Sequence, residues 1–552
     1  MTGRRNTLLI STTAAAILVT VAPSIGRAQQ SARPIAIIPQ PVSLKPLAGE
    51  FTLTPKTVIW TDRATEALGR RLAAYIEPAT GFPLGVRIGA GGTGNRIVLA
   101  LDPRLKRLAP EGYTLEVTPG RVVVRAPEPA GVFYAVQTIR QLLPPQIFRE
   151  AKVDGTKWTM PAVRIEDMPR FQWRGLHLDA GRHFMPKEFV KKYIDLLALH
   201  KMNMFHWHLT EDQGWRLEIR KYPKLTEVGA WRKETIVGRQ GRDASAWTFD
   251  GTRHGGYYTQ DDAREIVAYA KERFINVVPE IEMPGHAVAA IAAYPELGVD
   301  LTPTEVATHW GVFDNILNPE PATISFMQDV LTEVMEIFPS RFIHIGGDEA
   351  DKARWKASPR VQARIKELGL KDEGELQSWF IRQMDTFLTA KGRRLVGWDE
   401  ILEGGLAPGA TVMSWRGIEG GIAAAREGHD VVMAPTSHTY FDYYQSKDQP
   451  GEQLAIGGFV PLETVYAYEP VPADLEPQFA KHILGAQGQL WTEYMKTPKH
   501  VEYMAYPRAC ALAEVVWTPA AARDFTDFTS RLAAHLQRLA ILDVNYWVAR
   551  SR

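Results

Sequence analysis

From Arg174 onward, apolar and polar positions switch back and forth between two periods. Short apolar runs at Gly175–Asp179, Met202–Thr210, Asn276–Glu282, Arg341–Ile345, Arg394–Trp398, Thr411–Trp415, Asp430–Ala434 and Ile483–Leu490 read as strands. Helix-spaced apolar stripes fall between most of them, most clearly at Lys187–His200, Asp261–Phe274, Thr323–Phe338, Gly374–Lys391 and Ile418–Glu427. Eight strands alternating with helices predict an α/β fold, a (β/α)8 TIM barrel with insertions over residues 170–518. A doubly wound open sheet is the alternative. Against it, no Gly-rich phosphate loop follows the first strand, and polar or aromatic residues stand just after nearly every strand.

Residues 33–167 read as a separate, smaller α+β support domain. Strand-like runs at Thr57–Trp60 and Arg96–Ala100 flank a helical stretch at Ala64–Glu77. A hairpin follows, Tyr113–Val117 and Arg121–Arg125 joined at Pro119-Gly120. A helix with an apolar stripe, Gly131–Leu143, stops at Pro144-Pro145. Residues 519–552 form a helical extension, with a last helix at Phe525–Leu542 expected to pack on the barrel. Two insertions, 232–258 and 443–478, are long enough to be lids or walls of a site.

In a parallel barrel, chemistry sits at the carboxyl ends of the strands. There the chain places Asp179, Asp212, Glu280 through His286, Asp348-Glu349, Trp398-Asp399-Glu400, Trp415-Arg416, His438 through Asp442, and Trp491-Thr492-Glu493. The run His344-Ile345-Gly346-Gly347-Asp348-Glu349 is the most specific of these. A strand empties through two glycines into adjacent carboxylates, which suggests acid/base work on a sugar. Its bland reading is a helix start capped by Asp348. Ordinary retaining glycosidases hold an acid and a nucleophile about 5–5.5 Å apart across the scissile bond. Neighbouring residues with Cα atoms ~3.8 Å apart are badly placed for that, so one acid must act otherwise.

Lys and Arg total 64 against 63 Asp and Glu, which leaves no basic excess to hold a polyanion and argues against nucleic acid as a partner. Fifteen Trp are a heavy load; many must be core, but flat indoles with an N–H also suit sugar rings. Arg4-Arg5, an apolar stretch from Leu8 to Val21 and Gly26-Arg27-Ala28 have the order of a signal peptide, residues 1–28. The single cysteine, Cys510, excludes an internal disulfide. The expectation is an exported bacterial protein, periplasmic or secreted, with no stable membrane insertion once the signal is cleaved.

Several stretches together resemble the β-N-acetylhexosaminidases of glycoside hydrolase family 20. They are Phe171–Asp179, His254–Gln260, Val278–His286, His344–Glu349, Gly397–Glu400 and Trp491–Glu493, with Ala130–Thr138 in the amino-terminal domain. The resemblance implies an exo-acting enzyme releasing terminal GlcNAc or GalNAc from β-linked oligosaccharides or glycoconjugates, without metal or cofactor. The nucleophile it implies is the substrate's own 2-acetamido oxygen. Glu349 would be the general acid/base, with a raised pKa. Asp348 and Tyr440 would orient the acetamido group. Trp398, Trp415 and Trp491 would wall the pocket, Arg174, Asp442 and Glu493 would bind hydroxyls, and Asp212, His286 and Asp179 would support from behind. Structural alternatives stand beside these: Arg174 as an ion-pair partner of Asp179, Trp398 and Trp415 as barrel core, Asp212 as a cap and His286 as a core histidine. Two rival functions remain. One is a metal-dependent amidohydrolase-type barrel using His206, His208, His286, His344 and Asp348. The other is a catalytically inactive periplasmic sugar-binding protein.

Overall fold

The computed structural model describes residues 35–89, 91–448 and 451–549; the expected signal peptide lies outside the described residues. The chain first builds a mixed seven-stranded sheet. Its strands are β1 (Ser43–Thr52), β2 (Val58–Thr61), β3 (Gly85–Ile88), β4 (Arg96–Leu101), β5 (Tyr113–Thr118), β6 (Arg121–Ala126) and β7 (Thr159–Asp167), in the order β1-β7-β5-β6-β4-β2-β3. Helices α1 (Glu66–Thr80) and α2 (Pro129–Leu142) accompany it. Strands β1, β3 and β7 are absent from the sequence reading. Pro46 in β1 and Pro161 in β7 argue against strands, yet both are harmless here. Strand β1 is an edge, and Pro161 lies beyond Val163, where pairing of β7 with β5 ends.

A closed parallel barrel follows. Its strands are β8 (Trp173–Asp179), β9 (Met204–His208), β10 (Asn276–Glu280), β11 (Phe342–His344), β12 (Arg394–Trp398), β13 (Thr411–Ser414), β14 (Val431–Met433) and β15 (Ile483–Gly488), which pairs back onto β8. All eight fall within or overlap the expected runs. Helices α3 (Lys187–Leu199), α4 (Gln260–Lys271), α5 (Pro321–Ile337), α6 (Glu373–Ala390) and α7 (Glu419–Arg426) lie between strands. Thr259 and Asp262 start α4 with a reciprocal capping box. Helix α8 (Arg508–Trp517) is buried on every side, so it carries no polar face from which sequence could read a period.

The last helix, α9 (Phe525–Ile541), does more than cover the barrel. Arg531 donates to Ile37 O at 2.8 Å and to Glu514 of α8, and Arg538 donates to Ala36 O at 2.7 Å and Gln141 O at 2.8 Å. It therefore clamps the chain's first described residues against α2 and α8.

The smaller domain meets the amino ends of the barrel strands. Asp167 of β7 accepts from Lys201 Nζ and Trp517 Nε1, each at 2.8 Å, and both Asp167 and Lys201 are fully buried. Here too lies Arg174. Its guanidinium forks onto Glu111 at 2.9 and 2.7 Å, donates to Lys201 O and Phe171 O, and faces Trp517.

Candidate active site

At the other end of the barrel, Asp348, Glu349, Trp398, Trp415, Tyr440, Asp442, Trp491 and Glu493 line one cavity of about 180 Å³. Eight of the residues singled out in the sequence are thus brought together from five strand ends. Trp398 and Trp491 meet at 5.6 Å between centroids, and Trp415 stacks on Tyr440 at 6.1 Å with an interplanar angle of 23°. Asp348 Oδ1, Asp442 Oδ1 and Glu493 Oε2 are buried without a protein partner. Orphaned acceptors around an aromatic floor suit a polyhydroxylated ligand, whose O–H and N–H groups would satisfy them.

Arg174 is the exception. Strand β8 rises ~3.3 Å per residue, so Arg174 sits roughly 17 Å from the carboxyl end at Asp179. Its partner is the half-buried Glu111, not Asp179 and not a sugar. The arginine in the cavity is Arg182, three residues beyond the end of β8. Asp179 supports it, accepting the Arg182 N–H at 3.0 Å and the Thr492 N–H at 3.0 Å. Reading only residues that follow a strand would have selected Arg182. The reassignment has a test. Glu111→Ala strands a buried guanidinium, so unfolding free energy is expected to fall by on the order of 3 kcal/mol with KM unchanged. A raised KM at normal stability would return Arg174 to the site.

The segment after β11 is irregular through Lys352, so Asp348 caps no helix. Both glycines are required. Gly346 and Gly347 have φ of 69° and 93°, and a Cβ on Gly346 would lie 1.7 Å from Glu282 Oε2. Glu349 and His286 are themselves left-handed at φ 46° and 49°, a conformation non-glycine residues hold only where surroundings over-determine it.

His286 joins the acids. Its Nδ1 lies 3.0 Å from Asp212 Oδ2 and 3.1 Å from Glu211 Oε1, and its Nε2 lies 3.5 Å from Glu349 and 3.6 Å from Asp348. Burial opposes its charge, yet Glu211, Asp212 and Glu349 hold the imidazolium well above the usual histidine range. Hydrogen bonding to His286 in turn holds Glu349 below its ordinary value, with burial working the other way. The expected raised acid is therefore absent from the unliganded site, because Glu349 remains partly exposed and faces a cation. Of the pair, the raised acid is Asp348, lifted to about 6 by burial and by Glu280 and Glu349.

Three carboxylates here were given no role by the sequence reading, and of them only Glu280 and Glu282 were placed at a strand end. Glu211 pairs with Arg182 at 2.5 Å, and burial is overcome by Arg182 and His286, which keep it at about 2. Glu282 lies behind Asp348, pushed well up by burial, Asp348 and Glu280. Glu280, read only as part of a strand end, is the hub of the barrel interior. Its Oε1 accepts the indole N–H of Trp398 at 2.8 Å and lies 2.8 Å from His344 Nδ1, while Oε2 takes His206 at 3.0 Å and His208. Burial opposes its ionisation, but His344, His208 and His206 hold the carboxyl well below the usual range. A charged network beneath the floor thus fixes the Trp398 ring. The alternation that turns His206 and His208 inward turns Trp207 outward onto Tyr258.

The histidines of the metal reading are divided between two places. His206, His208 and His344 surround Glu280 in the barrel interior, whereas His286 faces Asp348 and Glu349. A parallel barrel that gathers carboxylates and indoles around one pocket at its carboxyl face is an arrangement suited to a glycoside hydrolase. The comparisons carry this further. Residues 171–520 match the model of the glycosyl hydrolase family 20 catalytic domain, and residues 34–168 match domain 2 of the same family. A β-hexosaminidase of Porphyromonas gingivalis is 46% identical over 517 residues, covering 93% of this chain and 64% of that protein, so the chain spans less than two thirds of it. Among solved structures, the family 20 β-N-acetylhexosaminidase of Streptomyces coelicolor A3(2) superposes with a TM-score of 0.80 at 34% identity, covering 93% of this chain and 98% of that one. A mutant Streptomyces plicatus β-hexosaminidase in complex with its product GlcNAc gives 0.79 at 33% identity, covering 93% and 97%. The chain belongs to glycosyl hydrolase family 20.

Proposed function

We propose that the protein is an exo-acting β-N-acetylhexosaminidase that removes terminal GlcNAc or GalNAc with retention, through an oxazolinium-like intermediate formed by the substrate's acetamido group. The observation that carries this is the adjacency of Asp348 and Glu349 in one small pocket with Tyr440 and three indoles. Glu349 at the mouth protonates the departing oxygen and then activates water. Asp348 accepts the acetamido N–H and offsets the charge developing on that group. Tyr440 donates to the acetamido oxygen and aims it at the anomeric carbon. Asp442, Glu493 and Arg182 take the hydroxyls of the terminal sugar. Hydrolysis of nitrophenyl β-N-acetylglucosaminide tests the reading, and its absence would leave a sugar-binding protein.

Burial and neighbouring carboxylates raise the pKa of Asp348, while His286 lowers that of Glu349, so below about pH 6 the pair's last proton favours Asp348, the wrong acid for catalysis. Substrate corrects this. An acetamido N–H donated to Asp348 favours its ionised form, and a leaving group that covers Glu349 raises the latter's pKa. The two acids titrate as a unit. kcat/KM is therefore expected to decline above about pH 6, where the free pair loses its last proton. The basic limb of kcat should lie at higher pH. His286→Gln removes a cation that lowers both acids, so the kcat/KM limb should move to higher pH. A limb that moves the other way would disconnect His286 from the pair.

The amino-terminal segment supports export to the periplasm or beyond, and short chitooligosaccharides are natural candidates among the substrates. No helix among the described residues is long and apolar enough to cross a membrane. Amino-terminal sequencing of the protein recovered from a periplasmic extract would test cleavage near Ala28.

A further inference from the structure

Beyond Glu349 the pocket adjoins a second cavity of about 640 Å³, where the leaving group lies if the first holds the terminal sugar. The first insertion forms its wall, and that wall is pinned. Gln240 exchanges hydrogen bonds with the Trp310 backbone at 2.8 and 2.7 Å, and its own N–H reaches Tyr494 Oη at 3.2 Å. Trp247 donates to Gly241 O at 2.7 Å and its ring meets His309 at 4.8 Å. Two arginines stand on this wall. Arg239 spends one N–H on Ile456 O at 2.9 Å, joining the two insertions, and Arg242 adds a second guanidinium. Among the described residues neither forms an ion pair. Asp243, next in sequence, turns its carboxylate back onto the N–H and hydroxyl of Ser245, at 3.0 and 2.6 Å. Arg182, which also lines the cavity, is already neutralised by Glu211.

Glu349 and Glu493 also line the cavity, on the side it shares with the first pocket, but neither pairs with these arginines. Two guanidinium forks without an ion-pair partner among the described residues, beside an aromatic wall, match a planar carboxylate on a sugar ring. A neutral sugar would use the aromatic faces and leave both charges to water. We propose that this groove takes a carboxylated saccharide as the leaving group, so that the enzyme cuts terminal N-acetylhexosamine from a sugar acid in preference to its neutral counterpart. This rests on the hexosaminidase reading above. The chemistry has two sources, a uronic acid or a lactyl ether such as N-acetylmuramic acid.

The test uses the full chain and matched disaccharides in which one terminal GlcNAc is linked to glucose or glucuronic acid, and to GlcNAc or N-acetylmuramic acid. Nitrophenyl β-N-acetylglucosaminide serves as the control. At low salt, kcat/KM is expected to be about fivefold or more higher for the acid of at least one pair, and the favoured pair identifies the source. That ratio should fall towards one in about 1 M salt, where charges are screened beyond ~3 Å. It should fall likewise in Arg239→Gln/Arg242→Gln. Arg242→Gln alone, which breaks no hydrogen bond seen in the structure, reports the same loss in part should the double variant disturb the loop. With the control hydrolysed, an acid-to-neutral ratio at or below one in both pairs overturns the proposal, as does a ratio insensitive to both salt and substitution. If the control is not hydrolysed, the hexosaminidase reading itself fails and the proposal falls with it.

Discussion

Glu349→Gln should lower kcat on a natural disaccharide by about a hundred- to ten-thousand-fold, with substrate still bound. The amide fits the same left-handed backbone and the same mouth of the pocket, but it neither gives a proton to the leaving oxygen nor takes one from water. The loss should depend on the leaving group. A nitrophenolate departs without protonation, so the bond-breaking step on the nitrophenyl glycoside should suffer far less than on a sugar leaving group. Measuring single-turnover rates on both substrates checks this. Equal losses on the two, or a near-normal rate on the disaccharide, would assign the acid elsewhere.

Asp348→Asn should reduce kcat by about a hundred- to a thousand-fold for a different reason. The carboxylate's task is to hold the acetamido N–H and to balance positive charge as the ring closes, and an amide offers no charge. Wild-type enzyme should discriminate strongly against a 2-hydroxy sugar lacking the acetamido group, whereas in D348N that discrimination should narrow sharply. Stability should hold or rise near neutral pH, because burial and the neighbouring carboxylates raise this acid's pKa, so its charge costs the folded state stability that the neutral amide does not. A variant that keeps full acetamido selectivity while losing rate would show that Asp348 does not serve the acetamido group, and comparable wild-type rates on the 2-hydroxy sugar would point to a protein nucleophile.

How far the site was legible depends on which feature of the chain encoded it. Asp348-Glu349, Trp398, Trp415, Tyr440, Asp442, Trp491 and Glu493 each follow a strand closely, so recognising the strand located the residue. Arg174 misled because it belongs to a strand but at the wrong end, and only its distance from Asp179 reveals that. Arg182 carried the same positional signal as the others in the loop after β8. Glu211, Glu280 and Glu282 are different. Their importance lies in what meets them across the barrel, such as the Trp398 indole at Glu280 and the His286 ring at Glu211. Helix α8 and strands β1 and β7 were hidden for equally physical reasons: uniform burial removes the polar face, and proline breaks a strand pattern that an edge can tolerate.

The sequence by itself determined the alternation of strands and helices, the order of the strand ends and the chemistry each of them carries. Those are local properties, set by period, by glycine and by residue type. Tertiary structure alone decided which arginine enters the pocket, which acid of the pair has its pKa raised and which charges remain unpaired at the leaving-group groove. A pKa or an unmet guanidinium is fixed by distances to groups far away in the chain, and only closure of the barrel sets those distances.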